Sequence, residues 1–255
     1  MSEDINALKA NAVTRLTTFM NSLDSKHQKI MAYWIQDYVR FLKKESSVDF
    51  SKLVRYKRGS IVKAHLGYRI GSEEGGLHYA IILDVHNDRN SPTATIIPLT
   101  SIKPDTDLDH LYRSKVPLGD EVYQALTKKI TSVQSDTEQR LNSLEARLST
   151  LNKTTPDSAS ADSITQITEK FAELDEIGHQ IELCKKNAAF AEKMLNEVTK
   201  MKRGSIALVG QITTISKIRI YDPLYPSDIL ANIRVSDQTL DKLDNKIKEL
   251  FLKPE

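Results

Sequence analysis

The hydrophobic pattern of this 255-residue chain changes its period along the sequence, and this change limits the possible folds more than any other feature. Two stretches, about 57–116 and 204–215, have the alternating, β-branched pattern of strands. A long stretch with helical periodicity separates them. Strands interrupted in this way are typical of one sheet domain that carries a helical insertion. We therefore predict an α+β fold.

The first strand-like stretch contains three short runs separated by turn-forming clusters. Residues 59–66 alternate, 79–85 are almost continuously apolar, and 93–99 are β-branched. The turn clusters are Gly71–Gly76 and His86–Pro92. Short strands at this spacing predict a small antiparallel sheet curled into a barrel.

The intervening stretch has a heptad pattern. Leucines recur at steps of three and four residues at Leu141, Leu144, Leu148 and Leu151. After a polar break at 152–163 the pattern returns at Leu174, Ile177, Ile181, Cys184, Ala188, Ala191, Leu195 and Val198. The pattern predicts an antiparallel coiled-coil hairpin with a flexible tip at the break. Cys184 lies on the stripe, so we interpret it as a small buried apolar residue.

Both ends of the chain have helical patterns. Residues 4–44 predict two helices that are interrupted at Asp24 and Ser25, with Ser25 as the cap of the second. A last helix is expected to begin near Ser236. We predict a helical extension at 1–50, a barrel from 51–119 and 203–255, and an inserted hairpin at 120–202.

Composition and motifs exclude several classes of protein. The formal charge is +2 and there is one cysteine, so neither strong bulk attraction to nucleic acid nor a disulfide framework is expected. No apolar run approaches a membrane span, and the acidic start is unlike a secretory signal, so we predict a cytoplasmic protein without membrane contact. Phosphate loops, dinucleotide fingerprints and metal-ligand spacing of the six histidines are missing, so no cofactor and no metal are expected.

Five segments in order resemble the MazF/PemK family of toxin endoribonucleases, whose fold is a small SH3-like or CcdB-like barrel. They are Lys57–Val62, the loop Gly71–Gly76, Asn90–Thr93, Ile97–Ser101, and Ser205–Ile215 without Gly210. The resemblance implies metal-independent cleavage of single-stranded RNA, with general acid-base attack by the 2′-hydroxyl. It also implies a homodimer and a cognate antitoxin as partner.

The resemblance assigns catalytic roles to two positions. Thr100 matches the Thr or Ser that ends the third strand in the family, and His78 stands where the family has an arginine. In one interpretation His78 is the acid or base, and Arg55, Arg58 or Lys63 supplies the positive charge for the phosphate. In the other, the barrel is a non-catalytic binding module. A third hypothesis makes the helical hairpin the working part.

The remaining candidates are predicted to contact RNA. Some lie in the loops that the resemblance matches, and others lie on strands that would border an RNA groove. They are Arg58, Lys63, His65, Ser72, Glu73, Arg89, Asn90, Gln211 and Thr213.

Overall fold

Helices and strands of the computed structural model follow the order that the sequence predicts. The structure describes residues 4–153 and 161–253, so most of the predicted flexible tip at 152–163 lies outside the described residues. The helices are α1 (Ile5–Ser22), α2 (Ser25–Glu45), α3 (Glu121–Lys153), α4 (Ala161–Lys200) and α5 (Asp237–Phe251). The strands are β1 (Ile61–His65), β2 (Leu77–Ile82), β3 (Thr93–Ser101), β4 (Lys115–Gly119), β5 (Ser205–Leu208), β6 (Thr213–Ser216) and β7 (Ile220–Asp222). Short 3-10 helices occur at Phe50–Lys52, Val209–Gln211 and Lys217–Arg219.

All seven strands join one sheet, which confirms that the two distant strand-like stretches fold together. The strand order is β4-β5-β3-β2-β1-β7, and β6 pairs with β3 as a branch. The pairs β1–β2, β2–β3, β3–β6 and β1–β7 are antiparallel. The α+β class is therefore confirmed. The ladder of the described strands does not close into a barrel, because β4 and β7 stand at its two ends.

Alternating side chains of the sheet form an apolar core. Its buried members come from five strands and from the segment before β1. They are Tyr56, Val62, Ala64, Ala80, Ile82, Ala94, Ile96, Ile215 and Ile220. Burial of apolar area of this kind is the main force that holds the strands together. The Tyr56 hydroxyl donates to the carbonyl of Pro223 over 2.8 Å, so the one phenol in this core has a hydrogen-bond acceptor.

The terminal helices begin close to the predicted positions. Ser236 caps α5 by accepting a hydrogen bond from the Thr239 amide, as a serine at this position should. The predicted cap of α2 is wrong: Asp24 is the cap, and Ser25 is the first helical residue. The Asp24 carboxylate accepts from two backbone amides, Lys26 and His27. An aspartate carries a full negative charge at the positive end of the helix, which favours it over a serine.

Helices α3 and α4 form the predicted antiparallel hairpin. Contacts between them run in opposite directions along the two helices: Lys129 of α3 lies over the Phe190 ring of α4, and Arg147 near the end of α3 pairs with Glu173 of α4 at 3.3 Å. Just after α4, Arg203 lies over the ring of Tyr123 near the start of α3. Cys184 is buried in a cluster with Leu144 and Ile177, which confirms its interpretation as a core residue.

The seam of α4 agrees with the heptad prediction at one position of the repeat and differs in part at the other. The buried residues at seven-residue steps are Ile177, Cys184, Ala191 and Val198. Of the residues predicted between them, Leu195 is 48% exposed, and Met194 is fully buried in its place. The prediction is therefore wrong at Leu195, where the buried residue is Met194, whereas the predicted Ile181 packs against the cluster of Leu144, Ile177 and Cys184.

Contacts divide the chain into two compact units. The first holds α1, α2, most of the sheet and α5, and the second holds α3 and α4. The three-part domain division made from sequence stays a prediction. In the part of the chain that the structure describes, no helix is both long enough and apolar enough to cross a bilayer.

Candidate functional site

The glycine-rich loop between β1 and β2 is a hairpin closed by backbone hydrogen bonds. The Leu66 amide donates to Gly76 over 2.8 Å, and the Gly76 amide donates to Gly67 over 2.7 Å. Inside the loop, a Cβ on Gly75 would lie 2.7 Å from the Arg69 nitrogen and 2.9 Å from the Gly67 oxygen. Only glycine fits this close approach of two backbone segments.

Gln211 clamps this loop with both ends of its amide. Its Oε1 accepts from the Glu74 amide over 2.7 Å, and its Nε2 donates to the Ser72 carbonyl over 3.2 Å. The Glu73 carboxylate turns back into the loop and accepts from the Ile70 amide over 3.2 Å. Gln211 and Glu73 were both predicted to contact RNA, and in this structure both also hold the loop in shape.

His78 lies on β2 with both ring nitrogens facing a polar atom. Its Nδ1 is 3.1 Å from the carbonyl oxygen of Leu99, and its Nε2 is 3.4 Å from a carboxylate oxygen of Glu74. Because a carbonyl can only accept, Nδ1 carries a proton. Nε2 is then the nitrogen that can gain or lose one, and it points to the carboxylate.

Thr100 lies beside this histidine along the sheet. Strands β2 and β3 pair Ala80 with Pro98 and Ile81 with Ile97, and the same register continued by two residues sets His78 level with Thr100. The hydrogen bond from His78 to Leu99 agrees with that placement. Within the described residues, the Thr100 hydroxyl has no hydrogen-bond partner, so it can donate to a ligand.

A cleft of about 550 Å³ collects four of the nine predicted RNA-contacting residues. They are Ser72, Glu73, Gln211 and Thr213, and the wall also contains Glu74 and Arg219. Glu74 thus connects the cleft to His78. The loop Gly71–Gly76 and the segment 210–215 are far apart in sequence, and the fold brings residues of both into the wall of one cleft.

The other predicted cationic residues have partners elsewhere. Arg58 donates to the Leu83 carbonyl and to the Asp244 carboxylate of α5, and its side chain is 20% exposed. The Lys63 ammonium lies 5.5 Å from the centre of the Tyr79 ring. In this structure Arg58 therefore anchors α5 to the sheet.

Arg89 and Asn90 lie in an exposed turn after β2, and a buried lysine holds this turn. The Lys217 ammonium, 1% exposed, donates to the carbonyls of Asp88 and Arg89 over 2.7 and 3.3 Å. Burial lowers the pKa of Lys217, and the charges of Asp84 and Asp88 oppose that shift. The Arg89 side chain itself stays exposed.

His65 is covered by the N-terminal helix α2. The Trp34 ring stacks on the His65 ring with centroids 4.8 Å apart, and the His65 side chain is 13% exposed. Its Nδ1 accepts from the Gly67 amide over 3.1 Å, so the proton of the neutral ring is on Nε2, which faces Asp37 at 3.7 Å. Burial lowers the pKa of His65 despite the nearby Asp37 carboxylate.

Arg219 is not one of the candidates predicted from the sequence, and among the described residues it is the one cation in the wall of the cleft. Its guanidinium lies 5.5 Å from the Trp34 ring centre. Burial lowers the pKa of Arg219. The signal in the sequence was weak, because Lys217 and Arg219 form an ordinary basic pair after a strand, and only the fold shows that one is buried and the other lines a cleft.

Side chains that could bind a metal do not gather anywhere in residues 4–153 and 161–253. No group of three or more His, Cys, Asp or Glu side chains in this part of the chain has a suitable arrangement. The polar side chains of the cleft wall are two carboxylates, two hydroxyls, the amide of Gln211 and the guanidinium of Arg219, and the His78 imidazole lies beside the Glu74 carboxylate. These groups can bind a phosphodiester and can move a proton.

Comparison with known proteins matches residues 57–174 to a family described as the PemK-like, MazF-like toxin of type II toxin-antitoxin systems. Among curated proteins, none matches the chain significantly. The matched stretch contains β1 to β4, the glycine-rich loop, His78 and Thr100. It ends before β5, so Gln211, Thr213 and Arg219 lie outside it. Residues 57–174, somewhat less than half of the chain, are therefore similar to the PemK-like, MazF-like toxins of type II toxin-antitoxin systems.

Proposed function

We propose that this protein is a metal-independent endoribonuclease toxin that cleaves single-stranded RNA. One observation carries the proposal: the cleft that holds Ser72, Gln211 and Thr213 also contains Glu74, whose carboxylate is 3.4 Å from His78. Groups that can bind a ribose-phosphate chain thus lie beside a pair that can transfer protons. The family match to residues 57–174 supports the same reaction class.

The chemistry needs one group that removes a proton and one that returns it. Glu74 accepts the proton of the ribose 2′-hydroxyl as the 2′-oxygen attacks phosphorus. The P–O5′ bond breaks, and Nε2–H of protonated His78 gives its proton to the leaving 5′-oxygen. The products are a 2′,3′-cyclic phosphate and a 5′-hydroxyl end. The Thr100 hydroxyl donates to a non-bridging oxygen as negative charge develops there.

The test is cleavage of single-stranded RNA by the purified protein in excess EDTA. We expect cleavage to persist without free metal, and to fall by at least about a hundredfold in His78→Ala, Glu74→Gln and Thr100→Ala. His86→Ala is the matched control, because His86 is an exposed histidine in the turn after β2. Intact RNA after long incubation with folded wild-type protein would show that the proposal is wrong.

A second candidate function is binding without cleavage. It is favoured by the fact that both ring nitrogens of His78 already face protein acceptors, Leu99 and Glu74. A single measurement distinguishes cleavage from binding without cleavage. If labelled RNA changes its fluorescence anisotropy with the protein but stays full length, the binding module is correct.

We propose three further properties that the family match supports. The protein forms a homodimer, and a cognate antitoxin inhibits it. The protein and the antitoxin are located in the cytoplasm. Light scattering on the purified chain tests the first property, and a monomeric mass at micromolar concentration would contradict it. The second property is tested by co-expression with an acidic protein that a neighbouring gene encodes, which should relieve the growth arrest that this protein causes.

A further inference from the structure

Arg219 is a cation of the cleft whose donors have no acceptor in the described part of the chain. It follows β6 in a 3-10 helix and lines the cleft together with Gln211 and Thr213. Its guanidinium lies 5.5 Å from the centre of the Trp34 ring, which offers a π face and no hydrogen-bond acceptor. Arg219 also lines a second cleft with Tyr38 and Glu45, and burial lowers its pKa whereas the interaction with Tyr38 raises it. A half-buried guanidinium ordinarily donates hydrogen bonds to carboxylates or carbonyls. Because Arg219 has no such acceptor among the described residues, its five N–H donors are available for an anion.

The position of this guanidinium depends on the N-terminal helix α2. Trp34 contacts the His65 ring on β1 as well as Arg219, so it is itself fixed to the sheet. Gly67 makes room for this arrangement: a Cβ there would lie 3.4 Å from the indole and 3.6 Å from Arg219 Nη2, and its φ of +102° also favours glycine. The Trp34 ring, fixed in this way, is thus the surface against which the guanidinium packs.

The charged side chains in the wall of the cleft are of both signs, and the negative ones are unfavourable for an RNA ligand. Besides Arg219 they are two carboxylates, Glu73 and Glu74, which repel phosphate. Arg58 is already paired with Asp244, and the Lys217 ammonium is buried under the turn after β2. Among the described residues of the wall, Arg219 is therefore the cation that can receive a phosphate of a polyanion in this cleft.

We propose that Arg219, held against Trp34 of α2, is the phosphate-binding residue of the cleft. This inference rests on the proposed function and adds to it the source of the positive charge. It also gives α2, which lies outside the stretch 57–174, a part in substrate binding. The family arginine expected at position 78 is then replaced by two residues, a histidine for proton transfer and a distant arginine for charge.

Salt dependence of RNA binding tests the assignment directly. The probe is a short, fluorescent, single-stranded RNA with 2′-O-methyl groups, which binds but cannot be cleaved. Each phosphate neutralised on a single strand contributes about 0.7 to the slope of log K against log salt concentration. We expect Arg219→Gln to lower the steepness of that slope by about 0.7 and to weaken binding by about tenfold to a hundredfold.

Three further variants separate charge from packing. Arg219→Met keeps the contact with Trp34 and should show the same slope loss, so it replaces Arg219→Gln if that variant does not fold. Arg219→Lys keeps the charge without the planar fork, so the slope should stay while affinity falls. Arg113→Gln is the matched control: Arg113 is an exposed arginine paired with Glu249 outside the cleft, and its slope should equal that of the wild type.

The outcomes distinguish the two proposals. If the wild type binds the probe but Arg219→Gln and Arg219→Met keep its slope, the assignment of Arg219 is wrong and the proposed function stands. If the wild type does not bind single-stranded RNA at all, the proposed function fails and this inference fails with it.

Discussion

The imidazole of His78 is joined to the carbonyl of Leu99 by a 3.1 Å hydrogen bond from Nδ1, one residue before Thr100. This bond fixes both the tautomer and the direction of the ring, because the carbonyl accepts and cannot donate. The other nitrogen is thereby turned to Glu74 at 3.4 Å. A histidine held in this way has a fixed ring orientation, which the proposed acid-base role of His78 requires.

Substitutions of His78 should separate its structural bond from its chemical role. In His78→Asn the side-chain amide can replace Nδ1 as the donor to Leu99. We expect its free energy of unfolding to stay within about 0.5 kcal/mol of the wild type, whereas His78→Ala should lose about 1 kcal/mol. RNA cleavage should be lost in both, because neither has a group at the position of Nε2. Urea denaturation and a cleavage assay on the same samples test this, and equal stability of the two variants would contradict it.

Gln211 should control the order of the glycine-rich loop. In Gln211→Ala the Glu74 amide and the Ser72 carbonyl both lose their partner, at about 1 kcal/mol for each bond. We therefore expect hydrogen exchange at the Glu74 amide to become at least about tenfold faster, with little change in the strands. Gln180→Ala removes an exposed glutamine that bonds Glu176 on α4, and it should leave that amide unchanged. If the Glu74 amide of Gln211→Ala is protected from hydrogen exchange as well as in the wild type, the loop is ordered without Gln211.

Two glycines should respond in opposite directions to the same substitution. Gly75→Ala places a methyl group 2.7 Å from the Arg69 nitrogen, so backbone must move, at a cost of about 1–3 kcal/mol. Gly178 lies in α4 with nothing within 4 Å of a new Cβ. Gly178→Ala should therefore stabilise its helix by up to about 1 kcal/mol. Thermal denaturation followed by circular dichroism compares the stability of the two variants. A Gly75→Ala variant as stable as the wild type would contradict the close approach of the Gly75 backbone to Arg69 and Gly67.

Acid should destabilise the sheet unit through His65. Its ordinary pKa is 6.5, and burial lowers it in the folded chain. Below that ordinary value the unfolded chain takes up a proton that the folded chain does not, so the free energy of unfolding falls as the pH drops. Above it, neither state is protonated and this contribution is absent. The charged and titratable groups that act on His65 are Asp37, which raises the pKa, and Arg219, Arg40 and His78, which lower it.

The measurement is the difference in unfolding free energy between roughly pH 8 and about pH 5. We expect it to shrink in His65→Asn, because asparagine does not titrate, although the variant is less stable overall. His86→Asn, which removes an exposed histidine from the turn after β2, serves as the control and should keep the wild-type difference. A His65→Asn protein with the full wild-type difference would contradict the prediction.

Local patterns in the sequence were enough for the element types and their order. Strand runs around Ile61, Tyr79 and Ile96, and the return of the strand pattern at Ser205, correctly predicted one sheet with a helical interruption. The heptad seam of α4 was predicted at Cys184 and Ala191 but was wrong at Leu195. A helix can present two neighbouring stripes, and the partner helix decides which one is buried.

The sequence alone thus determined the periodicity, the glycine-rich loop and the candidates His78 and Thr100, because neighbours along the chain and the resemblance define them. Only the tertiary structure decided which polar groups are already paired: Arg58 is held by Asp244, while Arg219 has the Trp34 ring in place of an acceptor. The physical reason is that a side chain's charge is a property of its residue, whereas its availability depends on burial and on partners that can be distant in the chain.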